Sequence, residues 1–331
     1  MRNKELDLCR VICTVYIVGI LHLMGYSPNH TWFSDYTMIY IERFTQISLA
    51  CFTFISGFFL GKKDISRWSD VLEFYKHRLG RFYFLYFIAI TLIYVLTSFT
   101  NNCWFPSFLH YILSVLGLSS FVTFQPATFW FIEMLIVFYI LTPLILVNKR
   151  KVIKCSIICM AYILFILFYI SDNFDYRIFL YFPIYIIGLF TPRFFLELMY
   201  KYKFVFALIG LLILFILNAS FSYKIQGVNN YISVFNLLNA IIGVFTLISI
   251  STIIISFKFI YNNKFNVLVS WLSYLSMAAY LFHRHIYFIF TQIKYSFTNI
   301  YINCLAFFVV IIISYYIQLA YDFVYGKMQK S

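Results

Sequence analysis

Residues 127–147, ATFWFIEMLIVFYILTPLILV, run for 21 positions with one charged side chain, Glu133. Their apolar residues follow one another without the two-residue alternation of a half-buried strand. As a helix the stretch rises about 30 Å, which matches the hydrocarbon core of a bilayer. Nine further segments read the same way: 8–26, 38–61, 79–98, 152–170, 176–191, 203–219, 233–257, 267–290 and 299–323. Another apolar stretch, Phe108 to Leu118, is too short to cross and is expected to lie at the interface or re-enter.

Composition gives the same answer. The chain is 63% hydrophobic and 11% charged over 331 residues, against about 45–50% and about 25% in a soluble domain. Apolar surface on that scale needs lipid as its solvent. In lipid every backbone polar group needs an internal partner, which leaves helices or closed barrels. The unbroken apolar runs select helices. The expected fold is all-α, a polytopic membrane bundle of about ten helices, in a single domain over residues 1–331 with no soluble extracytoplasmic domain.

The net charge of +13 would raise nucleic acid as a partner for a soluble protein. Its distribution has a simpler account here. The connections on one side of the membrane, with the two ends, hold 19 Lys and Arg; the other side holds only Arg177, Lys224 and Lys294. The positive-inside rule puts the richer side, and with an even span count both termini, in the cytoplasm. No nucleic-acid partner is expected. Arg2 and Lys4 before the first run mimic a signal peptide, but no small-residue cleavage site follows, so the run is expected to remain as the first span. Of the seven cysteines only Cys103 falls in an external loop, which argues against an extracytoplasmic disulfide. Cys9/Cys13 and Cys155/Cys159 are spaced four apart, but no His or further Cys completes a metal set. No metal is expected, and these thiols read as small apolar residues.

Ionisable groups within spans are costly and face the bundle interior or a cavity. His22 sits roughly 20 Å from the inner edge of the first span. Glu42, Arg43, Glu133, His283, Arg284 and His285 fall in the same outer half. Depth is fixed by the sequence; lateral neighbours are not. On the cytoplasmic side Arg78 and Arg81, three apart, share one helical face, and Arg10 lies near the inner edge of the first span. Planar, permanently charged guanidinium groups suit phosphate recognition. A plainer reading stands beside each feature. Arg78 and Arg81 also fit topology charges or lipid-headgroup contacts, His283 to His285 fit groups snorkelling to the outer interface, and Glu42 with Arg43 fits an interfacial pair. The set as a whole suits chemistry across the membrane or a transport pathway.

Six short patterns, in order along the spans, resemble acyltransferase family 3, the integral membrane O-acyltransferases of bacteria. They are LDLCRVICTVYIVGILH in the first helix, CFTFISGFFLGKK ending the second, KHRLGRFYFLY with its Arg-x-x-Arg starting the third, TFWFIEMLIVFYILTPLI, YFPIYIIGLF and SYLSMAAYLFH. One departure stands out. Arg10 and His22 are separated by 11 residues, one more than the family pattern. An added residue rotates a regular helix by about 100°, so either a π-bulge absorbs it or Arg10 is not the family's basic residue.

The resemblance implies an acyl donor, usually acetyl-coenzyme A, at the cytoplasmic face of the bacterial plasma membrane. It implies a sugar hydroxyl of an envelope glycan or lipid-linked precursor as acceptor. On that reading Arg78 and Arg81, with Arg10, hold the coenzyme A phosphates. His22 is the general base on the acceptor hydroxyl, Glu133 orients it or balances its charge, and His283 is an alternative base or an oxyanion donor. A flippase or exporter of envelope glycans or lipids is the competing class. A glycan polymerase is disfavoured because the longest external loop, roughly Thr100 to Pro126, has no Asp, Glu, Lys or Arg.

Overall fold

The computed structural model describes residues 3–23, 35–99, 105–119, 128–148, 150–170, 177–221, 234–257, 262–292 and 300–328. Among them every long element is helical and no strand occurs. In chain order these are α1 (Lys4–Tyr16), α2 (Asp35–Gly61), α3 (Trp68–Phe74), α4 (Gly80–Ser98), α5 (Phe108–Val115), α6 (Phe129–Leu146), α7 (Lys151–Ile170), α8 (Ile178–Phe190), α9 (Arg193–Lys201), α10 (Lys203–Phe221), α11 (Val234–Ser256), α12 (Asn263–Gln292) and α13 (Ile300–Met328). Two π-helical turns interrupt the regular pattern: π1 (Ile17–His22) continues α1, and π2 (Tyr75–Leu79) joins α3 to α4.

Among the described residues seven helices are long and apolar enough to cross a membrane, or eight if the bent pair α8–α9 counts as one. The described residues of the segments expected at 8–26 and 203–219 also fall on helices, but outside that set, and those of 176–191 fall on α8 of the bent pair. The α8 helix has 13 residues, about 20 Å of rise, which is short of the hydrocarbon core. The chain then turns by 93° into α9. Pro192 takes an extended conformation at that corner; it has no N–H to continue the ladder of α8. The short stretch after Phe108 forms the eight-residue helix α5.

Large apolar side chains point outward along whole helices. Ile163, Leu164, Ile166, Leu167 and Phe168 are exposed on α7, and Leu208, Leu211, Leu212 and Phe215 on α10. A soluble monomer does not carry apolar faces of this extent; lipid covers them. The protein is a multi-pass membrane protein.

Two compact units make up the chain. One comprises Met1–Phe59 and Pro183–Gln318. Within it α1 lies against α11 and α12, and α10 packs along α11. Gly57 on α2 and Gly188 on α8 face each other's helices. A Cβ on Gly57 would collide with the Tyr185 carbonyl oxygen, and one on Gly188 with that of Phe54. Small residues let membrane helices approach backbone to backbone and gain van der Waals contact that lipid does not supply.

The other unit comprises Leu60–Phe182 and Leu319–Ser331. Its axis is the continuous run α3–π2–α4, packed on α5 and α6, with α7 against α6. Tyr86 and Tyr83 on α4 donate their hydroxyls to the carbonyls of Ser114 and Val115. These carbonyls lie at the end of α5, where the Ser114 carbonyl also accepts the Gly117 N–H at 2.9 Å, and the two tyrosines fix the short helix to α4.

Candidate active site

Helix α1 delivers His22 through π1. The eleven-residue interval from Arg10 to His22 contains this wider turn, and a π-turn takes up one added residue without unwinding the helix. Of the two accounts of the spacing, the bulge is the one observed. Such a turn disturbs the carbonyl ladder. Here the Val18 carbonyl, inside π1, accepts the hydroxyl of Tyr287 from α12 at 2.8 Å. Both residues are fully buried, so this bond satisfies a polar group that lipid would leave costly.

His283 stacks on His22. The ring centroids are 4.7 Å apart with 2° between the planes. Tyr287 meets His283 edge-on at 5.7 Å. His283 Nδ1 lies 2.8 Å from the Tyr280 carbonyl and 3.1 Å from that of Ala279. A carbonyl only accepts, so Nδ1 carries the proton and the neutral ring keeps its lone pair on Nε2. That Nε2 and His22 Nδ1 are buried and have no hydrogen-bond partner among the described residues. The arrangement therefore offers two imidazole nitrogens able to take or give a proton. His283 is 0% exposed, whereas His22 keeps some open surface.

Snorkelling to the interface does not describe this cluster: His283 and His285 are both buried inside the protein. Nor do Glu42 and Arg43 share an environment. Glu42 is exposed; Arg43 is buried, with its guanidinium 4.7 Å from the Phe235 ring centroid.

Arg10 sits in a polar group at the α1–α12 contact. Its Nη1 is 3.8 Å from Asp7 Oδ1 and 3.4 Å from Ser273 Oγ, and Ser273 donates to Asp7 at 2.8 Å. Asp7 and Ser273 are buried.

Glu133 and Arg78 belong to the second unit. Glu133 is 0% exposed. Its Oε1 lies 2.9 Å from the Tyr86 hydroxyl, whose one proton is shared between this oxygen and the Ser114 carbonyl, and Ser119 Oγ lies 2.6 Å from both carboxylate oxygens. Five residues earlier Thr128 has φ 78°, a conformation that strains a β-branched residue and is retained where the surroundings enforce it. Arg78 lies in π2 with its guanidinium 5.4 Å from the Tyr139 ring, and its Nε is buried without a hydrogen-bond partner among the described residues. The side chain of Arg81 lies outside the described residues.

Geometry thus joins His22 to His283, and ties Glu133 to Tyr86 and Ser119, partners that sequence reasoning did not find. It also brings a third cysteine to the Cys9/Cys13 pair. Cys51 on α2 joins Cys9 and Cys13, and the three sulfur atoms lie within 4.8 Å of one another.

An acyltransferase-domain family model matches residues 3–319, nearly the whole chain. The chain belongs to acyltransferase family 3. No curated protein and no solved structure matches it. Family membership makes this a membrane acyltransferase in general, and the stacked histidines lie inside the matched region.

Proposed function

We propose that this acyltransferase family 3 member is an O-acetyltransferase of the bacterial inner membrane. It takes an acetyl group from acetyl-coenzyme A at the cytoplasmic face. It delivers that group to a sugar hydroxyl of an envelope polysaccharide (O-antigen, capsule or exopolysaccharide) or its lipid-linked precursor. The observation that carries the reading is the stacked His22–His283 pair, each ring with a buried nitrogen that has no hydrogen-bond partner among the described residues.

A sugar hydroxyl is a weak nucleophile while it holds its proton, and imidazole near neutral pH suits the removal. His22, which keeps some open surface, is the base that meets the acceptor. Its nitrogen takes the hydroxyl proton as the oxygen attacks the thioester carbonyl. The carbon–sulfur bond breaks, and the coenzyme A thiolate leaves and recovers a proton. His283 sits behind as the second imidazole and alternative base, its Nε2 lone pair able to take a proton; it becomes an oxyanion donor only once Nε2 is protonated. Glu133 is the buried carboxylate assigned to the same chemistry; its support is the hydroxyl pair that holds it fixed. Arg78 and Arg81 bind the donor's phosphates, and the unpartnered Nε of Arg78 supports that role. Arg10 is the third phosphate candidate, with Asp7 already taking part of its charge.

The test is NMR of the host's purified surface polysaccharide with the gene intact, deleted, and restored as His22→Ala. An O-acetyl signal lost on deletion, restored by the wild type and not by His22→Ala, is expected. An unchanged acylation pattern overturns the polysaccharide reading and moves the weight to transport of glycans or lipids.

A further inference from the structure

Three thiols meet at one point between α1 and α2. Cys9 and Cys13 are one turn apart on α1, and Cys51 comes from α2. All three are 0% exposed, and their Sγ atoms lie within 4.8 Å of one another. The two helices are aligned there by an independent contact: the Tyr16 hydroxyl donates to the Ile41 carbonyl at 2.7 Å, and its ring meets Phe44 at 4.4 Å. Ser48, one turn from Cys51, lies against Cys13. The remaining described cysteines, Cys155, Cys159 and Cys304, are exposed.

We propose that Cys9, Cys13 and Cys51 form a binding site for a thiophilic d10 cation, copper(I) or zinc(II). Metal–sulfur bonds of about 2.3 Å place the sulfurs of a trigonal or tetrahedral site about 4 Å apart, so the cluster needs only a small rotation of its side chains to close. An all-sulfur ligand set selects soft ions over magnesium, calcium or manganese. Three thiolates satisfy copper(I) outright; zinc(II) takes the Ser48 hydroxyl as its fourth ligand. Each coordinating thiol gives up its proton to solvent as its metal–sulfur bond forms, and no oxidation is involved. The complex carries net negative charge, and the Arg10 guanidinium on the next residue supplies a nearby positive one. The consequence is mechanical. A metal clip joins α1 to α2 and stabilises the folded state by its binding free energy, about 13 Å along the helix from His22. The site does not depend on the acyltransferase assignment.

The full chain in nanodiscs, kept reduced and anaerobic, is titrated with copper(I) against a competing chelator, and separately with zinc(II). One ion per chain is expected for at least one of the two metals. Loss of a partner that only supports a metal ligand costs about 10–100-fold in affinity. Cys51→Ser removes a ligand, so it should cost more than about 100-fold. The double variant Cys155→Ser/Cys159→Ser should bind like wild type. No stoichiometric binding of either metal, or binding that survives Cys51→Ser, overturns the site. A second readout covers a variant that fails to fold. In the wild type, metal should protect Cys9, Cys13 and Cys51 from alkylation, mapped by mass spectrometry, while Cys155 and Cys159 stay reactive. Equal labelling with and without metal overturns the proposal.

Discussion

His22 and His283 are chemically the same side chain in unequal positions. The backbone carbonyls of Ala279 and Tyr280 hold the Nδ1 proton of His283, and its ring has no exposed surface. His22 has no such anchor among the described residues and keeps some open surface. This asymmetry predicts different kinetics. His22→Ala should lower kcat by about 10²–10⁴-fold, the usual contribution of a general base. His283→Ala should lower kcat by less and leave the KM for the acyl donor alone. A His283→Ala enzyme with full kcat would remove that ring from the reaction. Arg78 predicts the opposite pattern: Arg78→Ala should raise the donor KM with a smaller effect on kcat, and a donor KM equal to wild type would end its phosphate role. The sequence made the depth of these groups legible, because rise per residue is constant. It could not reveal that His22 meets His283, since depth carries no lateral information. The partners of Glu133 were hidden for another reason. Tyr86 is one of 29 tyrosines in the chain, and only packing distinguishes it.

At the level of elements, π1 explains the spacing that set this chain apart. The turn accommodates an added residue, and its Val18 carbonyl accepts the Tyr287 hydroxyl. Those two facts are linked, which makes them testable together. Tyr287→Phe removes the donor and should cost about 1–3 kcal/mol, the penalty for a buried unsatisfied group. Deleting Ile20, whose side chain is 45% exposed, should convert π1 to a regular helix with His22 kept in register. In that background the Val18 carbonyl is turned by the rewound helix away from the Tyr287 hydroxyl, so Tyr287→Phe should cost much less. Thermal melting of the four proteins in one detergent completes the cycle. Equal costs in both backgrounds would show that Tyr287 does not support the turn. The sequence left two accounts of the spacing open because residue counts cannot distinguish a wider turn from a shifted residue. The helix pattern was otherwise legible wherever apolar runs were long. It did not show the corner at Pro192, where α8, with 13 helical residues, turns by 93° into α9.

For the whole molecule, the outward apolar faces of α7 and α10 fix lipid as the surroundings. They do not fix which end of each helix faces the cytoplasm. The charge distribution is what argues for one orientation: the connection at 62–67 holds Lys62, Lys63 and Arg67, and Lys151 and Lys154 begin α7, whereas Arg177 is expected on the side where Lys and Arg are few. The donor reading needs this orientation, because acetyl-coenzyme A is cytoplasmic and Arg78 would have to meet it there. Single cysteines at exposed Asp64 and Arg150 and at half-buried Arg177, in a chain stripped of its exposed thiols, test the point. Asp64→Cys and Arg150→Cys should resist a membrane-impermeant maleimide in intact cells and react after the membrane is opened. Arg177→Cys should react in intact cells. The reverse pattern would put Arg78 on the outer side. Its guanidinium would then serve an external anion or a lipid headgroup, and the acetyl donor would need a different binding site.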